Sequence, residues 1–519
     1  MYSLIKGTTQ MSNSQLPIIS ALMEPWRYPE PADNVELIET HASWVLLAGN
    51  FAYKIKKPIT LPFLDYGTLA RRLACCQAEL QLNRRFASDL YLGLVEITGT
   101  AEQPIIGALN VRTGNAIEYA VKMKRFEESA RLDHVCSRGE LTADHISNLA
   151  NAIINFHQFA AIAPSTSRFG AVDTLLPPAL ENIGTLRELL VAPTDRQQLD
   201  QLEKWTKSEH KRLAPQFAAR KTGGYIRECH GDLHLRNLVL INEQVTLFDC
   251  IDFSEEFRWI DVASEISFPY IDLLDHNQPG LACWLLNQWL SNSGDYDSIP
   301  LVRFYATYRA LVRAKVSAIL ATQQKTECAG SRTYLALAQR LAAPPKPSLI
   351  ITHGLAGCGK TTAVKQQLLS DRYGTTLSIR SDVERKRLFG LTANRPSNSV
   401  LNEGIYSSEA NKLTYRRLLD LSAQLLGSGW SVIVDAAFLR QEERNNFYRL
   451  AAQSGVDFSI IAPHAPDDQM IARIKHRLAE KQDASEATPD VLKKQKTIIE
   501  PLSNEELKWV NTTGDKGER

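Results

Sequence analysis

Apolar positions along the chain switch between alternation, helical spacing and short continuous runs, and each pattern predicts a different element. Near the start, "SWVLLAGNFAYKIKKPI" reads as two strands joined through a Gly-Asn turn at residues 48–50. "LARRLACCQAELQLNRRFA" has the spacing of a helix with one apolar face. "GLVEITG" and "AIEYAVKMKRF" return to strands. From about residue 141 to 220 the pattern is mostly helical. "LVLINEQVTLFDCIDF" then predicts two short strands around a turn, and helices follow to 340. The order predicts a small sheet-rich lobe ahead of a helical lobe.

The pattern breaks at "RLAAPPKPSLIITHG", where Pro344, Pro345 and Pro347 cannot continue a helix. Beyond it, "SLIITHG", "KTTAVKQQLL", "TTLSIRSD", "NKLTYRRLLDLSAQLLGSG", "WSVIVDAAF", "RQEERNNFYRLAAQSG" and "DFSIIAPHA" alternate strand with helix. Such alternation predicts a parallel sheet with helices on both faces. The expected division is a flexible leader at 1–34, a first domain at 35–340, a Pro-rich linker at 341–347 and a second domain at 348–519. Met11 is an alternative start to Met1.

Composition narrows the classes. Of 519 residues, 44% are apolar and 23% charged, which is ordinary globular material. A net charge of +1 carries no general signal for nucleic acid or anionic membrane. No apolar run is long enough to span a bilayer, and the start lacks the apolar stretch of a secretory signal. The eight Cys form no CxxC pair, so reduced thiols and a cytoplasmic location are expected.

The firmest motif lies in the second domain. "GLAGCGKT" fits G-x-x-x-x-G-K-[ST] between a predicted strand and a predicted helix. Gly354, Gly357 and Gly359 allow a tight turn whose N–H groups meet phosphate oxygens, with Leu355, Ala356 and Cys358 completing the loop. The helix adds its positive end from Lys360, Thr361 and Thr362 onward. Lys360 would reach the β- and γ-phosphates of ATP, and Thr361 would ligate Mg²⁺. Asp435, ending the strand in "WSVIVDAAF", is a second candidate Mg²⁺ ligand or a helix cap.

"LSIRSDVERKRLFG" resembles the S-D-x-x-R segment of P-loop kinases of the polynucleotide-kinase and zeta-toxin type. The resemblance implies that Asp382 takes the acceptor's hydroxyl proton and that a neighbouring Arg, 385 or 387, holds the acceptor or a phosphate. Arg473 and Arg477 sit four apart in "MIARIKHRLAEK" and resemble the lid arginines of such kinases, which neutralise phosphoryl charge. A solvated basic face is the alternative.

In the first domain, "ECHGDLHLRNLVL" holds His230, Asp232 and Asn237 at the spacing H-x-D-x-x-x-x-N of a kinase catalytic loop. A kinase reading demands a second metal-binding acid after a downstream strand, and "VTLFDCIDF" supplies Asp249, with Asp252 beyond it. It demands a Lys on an early strand and a Glu on the next helix, and Lys54 and Glu79 fit, with Lys56 and Lys57 as competitors. A zinc site from His230 and His234 is the rival account, without an evident third ligand.

"HGDLHLRN" and "FDCIDFSEEFRWIDVASEI" resemble the aminoglycoside phosphotransferase family, a branch of the protein-kinase-like fold. The whole chain resembles a bacterial group that fuses such a domain to a C-terminal P-loop domain. The resemblance implies an α+β protein-kinase-like two-lobed domain followed by an α/β P-loop NTPase domain. It implies a kinase that binds ATP and Mg²⁺ at two sites, with Asp232 as base and Asn237 and Asp249 on metal in the first. Small-molecule hydroxyl acceptors suit both sites; nucleic acid is the less favoured acceptor for the second, and no membrane partner is expected. Two departures stand out. No G-x-G-x-x-G precedes Lys54, and the acids Glu255, Glu256, Asp272 and Asp275 show no pattern that brings them together. The alternatives are a nucleotide-sensing pseudokinase module fused to one active P-loop enzyme, or a polynucleotide 5′-hydroxyl kinase.

Overall fold

The computed structural model describes residues 15–61, 64–393, 395–397, 403–480 and 483–511. The chain divides into two compact units: Met1–His276 with Phe304–Gln339, and Asn277–Arg303 with Arg340–Arg519.

The first unit opens with an antiparallel sheet of β1 (Val35–Glu39), β2 (Ser43–Ala48), β3 (Phe51–Lys56), β4 (Tyr91–Gly99), β5 (Pro104–Ile106) and β6 (Glu118–Lys124). Their spatial order is β1-β2-β3-β6-β4-β5. The pair Ala48↔Phe51 leaves Gly49 and Asn50 as the predicted turn, and Gly49 takes a φ of 55°, open to glycine without strain. Alternation along β3 sends Tyr53 and Ile55 into one apolar cluster with Trp44, Leu46, Val95 and Ile97. Ala52 faces the other way and packs with Cys76 and Leu80 of α1 (Leu69–Ala87). Lys54 and Lys56 share Ala52's face. Helix α1 starts where the Thr68 side chain accepts from the Arg71 N–H, 3.3 Å.

The rest of this unit is mainly helical, including α2 (Ala143–Phe159) and α3 (Val262–Asp275). Two small antiparallel pairs frame the candidate site: β7 (Ile226–Glu228) with β10 (Trp259–Asp261), and β8 (Leu238–Ile241) with β9 (Gln244–Leu247). Asp261 caps α3 through the Ala263 N–H, 2.8 Å, while pairing with buried Arg220 at 2.6 and 2.7 Å.

One expectation needs correction. The sequence predicts a flexible leader at 1–34, yet residues 15–34 pack. Leu16–Ala21 is helical, and Ile18, Ile19 and Leu22 join the cluster around Trp44. Gln15 donates to Lys56 O at 3.0 Å and Glu118 Oε2 at 2.5 Å. Burial of these apolar side chains offsets the ordering entropy that a leader would otherwise keep. Residues 1–14, with the Met11 start, lie outside the described residues.

The second unit holds a parallel sheet of β11 (Ser348–Thr352), β12 (Thr376–Arg380), β13 (Ser431–Asp435) and β14 (Asp457–Ile461), ordered β12-β13-β11-β14. Helices follow the strands: α5 (Lys360–Leu369), α6 (Ser381–Leu388), α7 (Ser408–Gly427) and α8 (Asp467–Glu480). Open α/β sheets bind ligands beyond the carboxyl ends of their strands, where "GLAGCGKT" and Asp435 lie. Helix α4 (Pro279–Ser293), which precedes the linker in sequence, belongs to this unit. Its Asn287 donates to Thr376 O at 3.1 Å and accepts from the Ser378 N–H at 2.5 Å, satisfying backbone groups of edge strand β12.

The first unit is therefore α+β, an antiparallel sheet ahead of mainly helical chain, and the second is α/β with a parallel sheet.

Candidate active sites

Three distant segments of the first unit meet at Lys54. Its Nζ lies 2.8 Å from Glu79 Oε1 and 2.5 Å from Asp249 Oδ1. Burial alone would lower the Lys54 pKa, but Asp249 and Glu79 outweigh it and hold the ammonium well above the ordinary lysine value. Burial would raise Glu79, yet Lys54 and Lys56 pull it down to about 2. Lys56 is as close as Lys54: it donates to Glu79 Oε2 at 2.6 Å and pairs with Asp252, which also accepts from Tyr66 Oη at 3.0 Å. Lys57 goes elsewhere, to Glu39 at 2.6 Å.

Asp249 has a φ of 61°, unusual for a non-glycine residue. Neighbours hold this backbone: Asp249 N–H donates to Tyr91 Oη and Cys250 N–H to Asn83 Oδ1, both 2.9 Å. The Asp249 side chain stays 46% exposed, so it can still meet a ligand from solvent.

The loop with Asp232 is built from behind. Buried Glu265 on α3 accepts from the N–H groups of His230, 2.6 Å, and Gly231, 3.1 Å. Gly231 has a φ of 87°, and a Cβ there would lie 2.5 Å from Phe257 O. His230 Nε2 faces Phe248 O at 2.8 Å, and burial brings its pKa to about 4, so the ring is neutral and structural. Asn237 Nδ2 donates to Asp232 O at 2.9 Å and lies 3.4 Å from Asp232 Oδ2. His234 Nε2 is 3.4 Å from the same Oδ2. The rival zinc pairing finds no support: among the described residues, metal-type donors gather as His157, Cys229 and Glu265, and as Asp272, Asp275 and His276.

Asp272 and Asp275 therefore do come together. Asp272 Oδ2 accepts from the Leu235 N–H at 2.8 Å, in the loop that follows Asp232, and Arg313 stands 4.0 Å from its Oδ1. Glu256 instead pairs with Arg168, where both side chains are exposed. No motif marks Arg313, and the sequence offers Lys56 only as a competitor of Lys54.

In the second unit the loop from Gly354 to Thr361 joins β11 to α5. Gly357 has a φ of 80°, and a Cβ there would lie 2.6 Å from Met470 O. Lys360 Nζ donates to Gly354 O, 2.9 Å, and Leu355 O, 2.8 Å, and lies 3.9 Å from Cys358 Sγ. Ala356 N–H donates to Gln495 Oε1, 2.7 Å. Thr361 Oγ1 donates to Asp435 Oδ2 at 2.8 Å, and burial raises the Asp435 pKa.

A cleft of about 1580 Å³ brings Lys360, Thr361, Thr362, Asp382, Asp435, Arg473 and Arg477 onto one surface. Arg473 donates to Gly357 O at 3.3 Å, while two buried nitrogens of Arg477 have no hydrogen-bond partner among the described residues. Arg385 lines the cleft, but Arg387 turns to Ser291 O at 2.6 Å. Sequence reasoning missed Arg380, which lies 3.8 Å from Asp435 and 2.5 Å from Asp483. Its place two residues before Asp382, at the end of a strand, was the available signal.

Residues 349–502 match a family model described as an AAA domain (AAA_33). The uncharacterized protein Rv2004c of Mycobacterium tuberculosis is 28% identical over 453 residues, 87% of this chain and 88% of the relative. An aminoglycoside phosphotransferase from Alicyclobacillus acidocaldarius is similar over 66% of this chain and 97% of its own, at 14% identity and a TM-score of 0.35. The Mycobacterium tuberculosis APS kinase CysC, in complex with AMPPNP and APS, covers 30% of this chain and 96% of its own, at 21% identity and a TM-score of 0.21.

Proposed function

We propose that the protein is an ATP- and Mg²⁺-dependent phosphotransferase with two nucleotide sites, each moving a phosphoryl group to a hydroxyl of a small-molecule acceptor. The observation that carries the reading is the contact of Lys54 with both Glu79 and Asp249, which joins three separate segments as a kinase site requires.

In the first site Lys54 would hold phosphates, oriented by Glu79, and Asp232 would accept the hydroxyl proton. Asn237 and Asp249 fit Mg²⁺: they offer hard oxygen donors, Asp249 is half open to solvent, and the Asn237 nitrogen is already engaged by Asp232. In the second site the loop Gly354–Thr362 would cradle phosphates, with Lys360 leaving its carbonyls for them. Thr361 and Asp435 place two oxygens 2.8 Å apart, which suits the same ion. Asp382 would be the base, with Arg473 and Arg477 neutralising the transferred group. Bound Mg²⁺ would supply charge neutralisation between phosphate oxygens.

Calorimetric titration with Mg²⁺·ATP tests the reading. Two sites per chain are expected for the wild type and one for Lys360→Ala. Loss of all binding in Lys360→Ala would sink the two-site reading.

One observation favours the pseudokinase alternative. Thr40 and Ser43 bond across the β1–β2 connection, a short turn rather than a glycine-rich phosphate cover. On that reading only the P-loop unit turns over, and Asp232→Ala leaves the activity unchanged. Phosphorylation of nucleic-acid 5′ ends by the second site would instead mark a polynucleotide kinase.

A further inference from the structure

We infer that Lys56 is a positioning residue for the first nucleotide site: it carries the charge of Glu79 and Asp252 so that Lys54 is left to the phosphates. The inference rests on the kinase reading of that site and adds to it a residue that the reading does not require.

Strand alternation puts Lys54 and Lys56 on one face of β3, and they take opposite oxygens of Glu79, at 2.8 and 2.6 Å. Each lysine also takes one Asp of the segment after β9. The two halves of the network differ in access. Lys54 meets Asp249, whose side chain is 46% exposed. Lys56 meets Asp252, and their side chains are only 2% and 6% exposed. Asp252 is further held by Tyr66 Oη at 3.0 Å. The Lys54 half is open to a ligand, and the Lys56 half is closed.

Charge explains the need for the closed half. Glu79, Asp249 and Asp252 face Lys54 and Lys56, an excess of one negative charge. A nucleotide brings more negative charge, and its cation would draw on Asp249. Lys54 and Lys56 then balance Glu79 and Asp252 one to one. Without Lys56, Lys54 would become the counterion of two buried carboxylates, an attraction strengthened by their low-dielectric surroundings. It could no longer turn to phosphates without leaving both unpaired.

Bonds from helix α1 hold the network in place. Asn83, one helical turn after Glu79, donates to Glu79 O at 2.8 Å and accepts from the Cys250 N–H at 2.9 Å. Arg85 donates to Glu228 O at 2.8 Å, next to the loop with Asp232. Helix α1 is thereby tied to both segments that carry the candidate chemistry, which gives Glu79 one orientation and Lys56 a fixed partner.

The test is calorimetric Mg²⁺·ATP binding to the full chain carrying Lys360→Ala, so that only the first unit binds, with melting followed in parallel. Lys54→Met should remove the binding. Lys56→Met should weaken it roughly tenfold or more, within the usual range of couplings between sites. Lys56→Met with Asp252→Asn, which removes the orphaned acid, should return to within about threefold of the parent. The double variant also keeps the test alive if Lys56→Met alone fails to fold. A Lys56→Met protein that melts earlier but binds as its parent would show a merely structural lysine and overturn the inference. So would a double variant that stays as weak as Lys56→Met. A Lys360→Ala parent that binds nothing would overturn the kinase reading itself, and the inference with it.

Discussion

Thr361 Oγ1 donates to Asp435 Oδ2 across 2.8 Å, joining the first turn of α5 to the end of β13. Burial raises the Asp435 pKa, so its ionised form is a cost to the folded chain. The sign follows. The folded state holds that proton more tightly than the unfolded one, and stability falls as pH rises from the ordinary value of 3.8 through the raised one. Asp435→Asn should therefore melt no earlier than wild type at neutral pH. The same variant should lower turnover at the second site by roughly 10²–10³-fold, the scale of losing one electrostatic stabiliser. Calorimetry and an ATP-consumption assay on one sample check both halves.

Glu79 runs the other way. Its pKa is pulled from 4.5 to about 2, because Lys54 and Lys56 outweigh the burial that would raise it. The stability it contributes is complete above the unfolded value and is lost as pH falls from 4.5 toward about 2. Amide protection of Leu69–Ala87, corrected for intrinsic exchange, should fall across that window in the wild type. In Glu79→Gln it should start lower at neutral pH and change less with acid.

Gly231 admits no side chain. With a φ of 87° and Phe257 O 2.5 Å from a Cβ, Gly231→Ala should displace the loop that holds Asp232. A loss of roughly 1–3 kcal/mol in stability is expected from backbone strain alone. Nucleotide binding by the P-loop unit should be untouched, which a titration of the variant reads directly.

Arg444 holds the end of the second unit. It is buried, donating to Glu506 Oε1 at 2.5 Å and Oε2 at 3.1 Å, and to the carbonyls of Phe438, Glu500 and Pro501. Arg444→Met would leave Glu506 buried and unpaired, a cost of roughly 3–5 kcal/mol. Replacing both, as Arg444→Met with Glu506→Leu, should recover most of it. Chemical denaturation of the single and double variants measures the difference.

The sequence by itself determined the elements and the firmer motifs, because those signals are local. The period of apolar residues marks α1 over Leu69–Ala87, and the glycine spacing marks the loop before α5. The spacing His230-x-Asp232 with Asn237 and Asp249 is likewise written along a short stretch of chain. Tertiary structure decided what depends on distance through space. It placed α4 on the edge of the P-loop sheet although α4 precedes the linker, because Asn287 meets the backbone of β12. It folded residues 15–34 onto the first sheet by burying Ile18, Ile19 and Leu22. It drew Asp272 and Asp275 together and set Arg380 between Asp435 and Asp483. It also gave Glu79 two lysines rather than one. Charge pairs between residues far apart in sequence leave no period and no spacing to read, and only the packing of the elements that carry them brings them within reach.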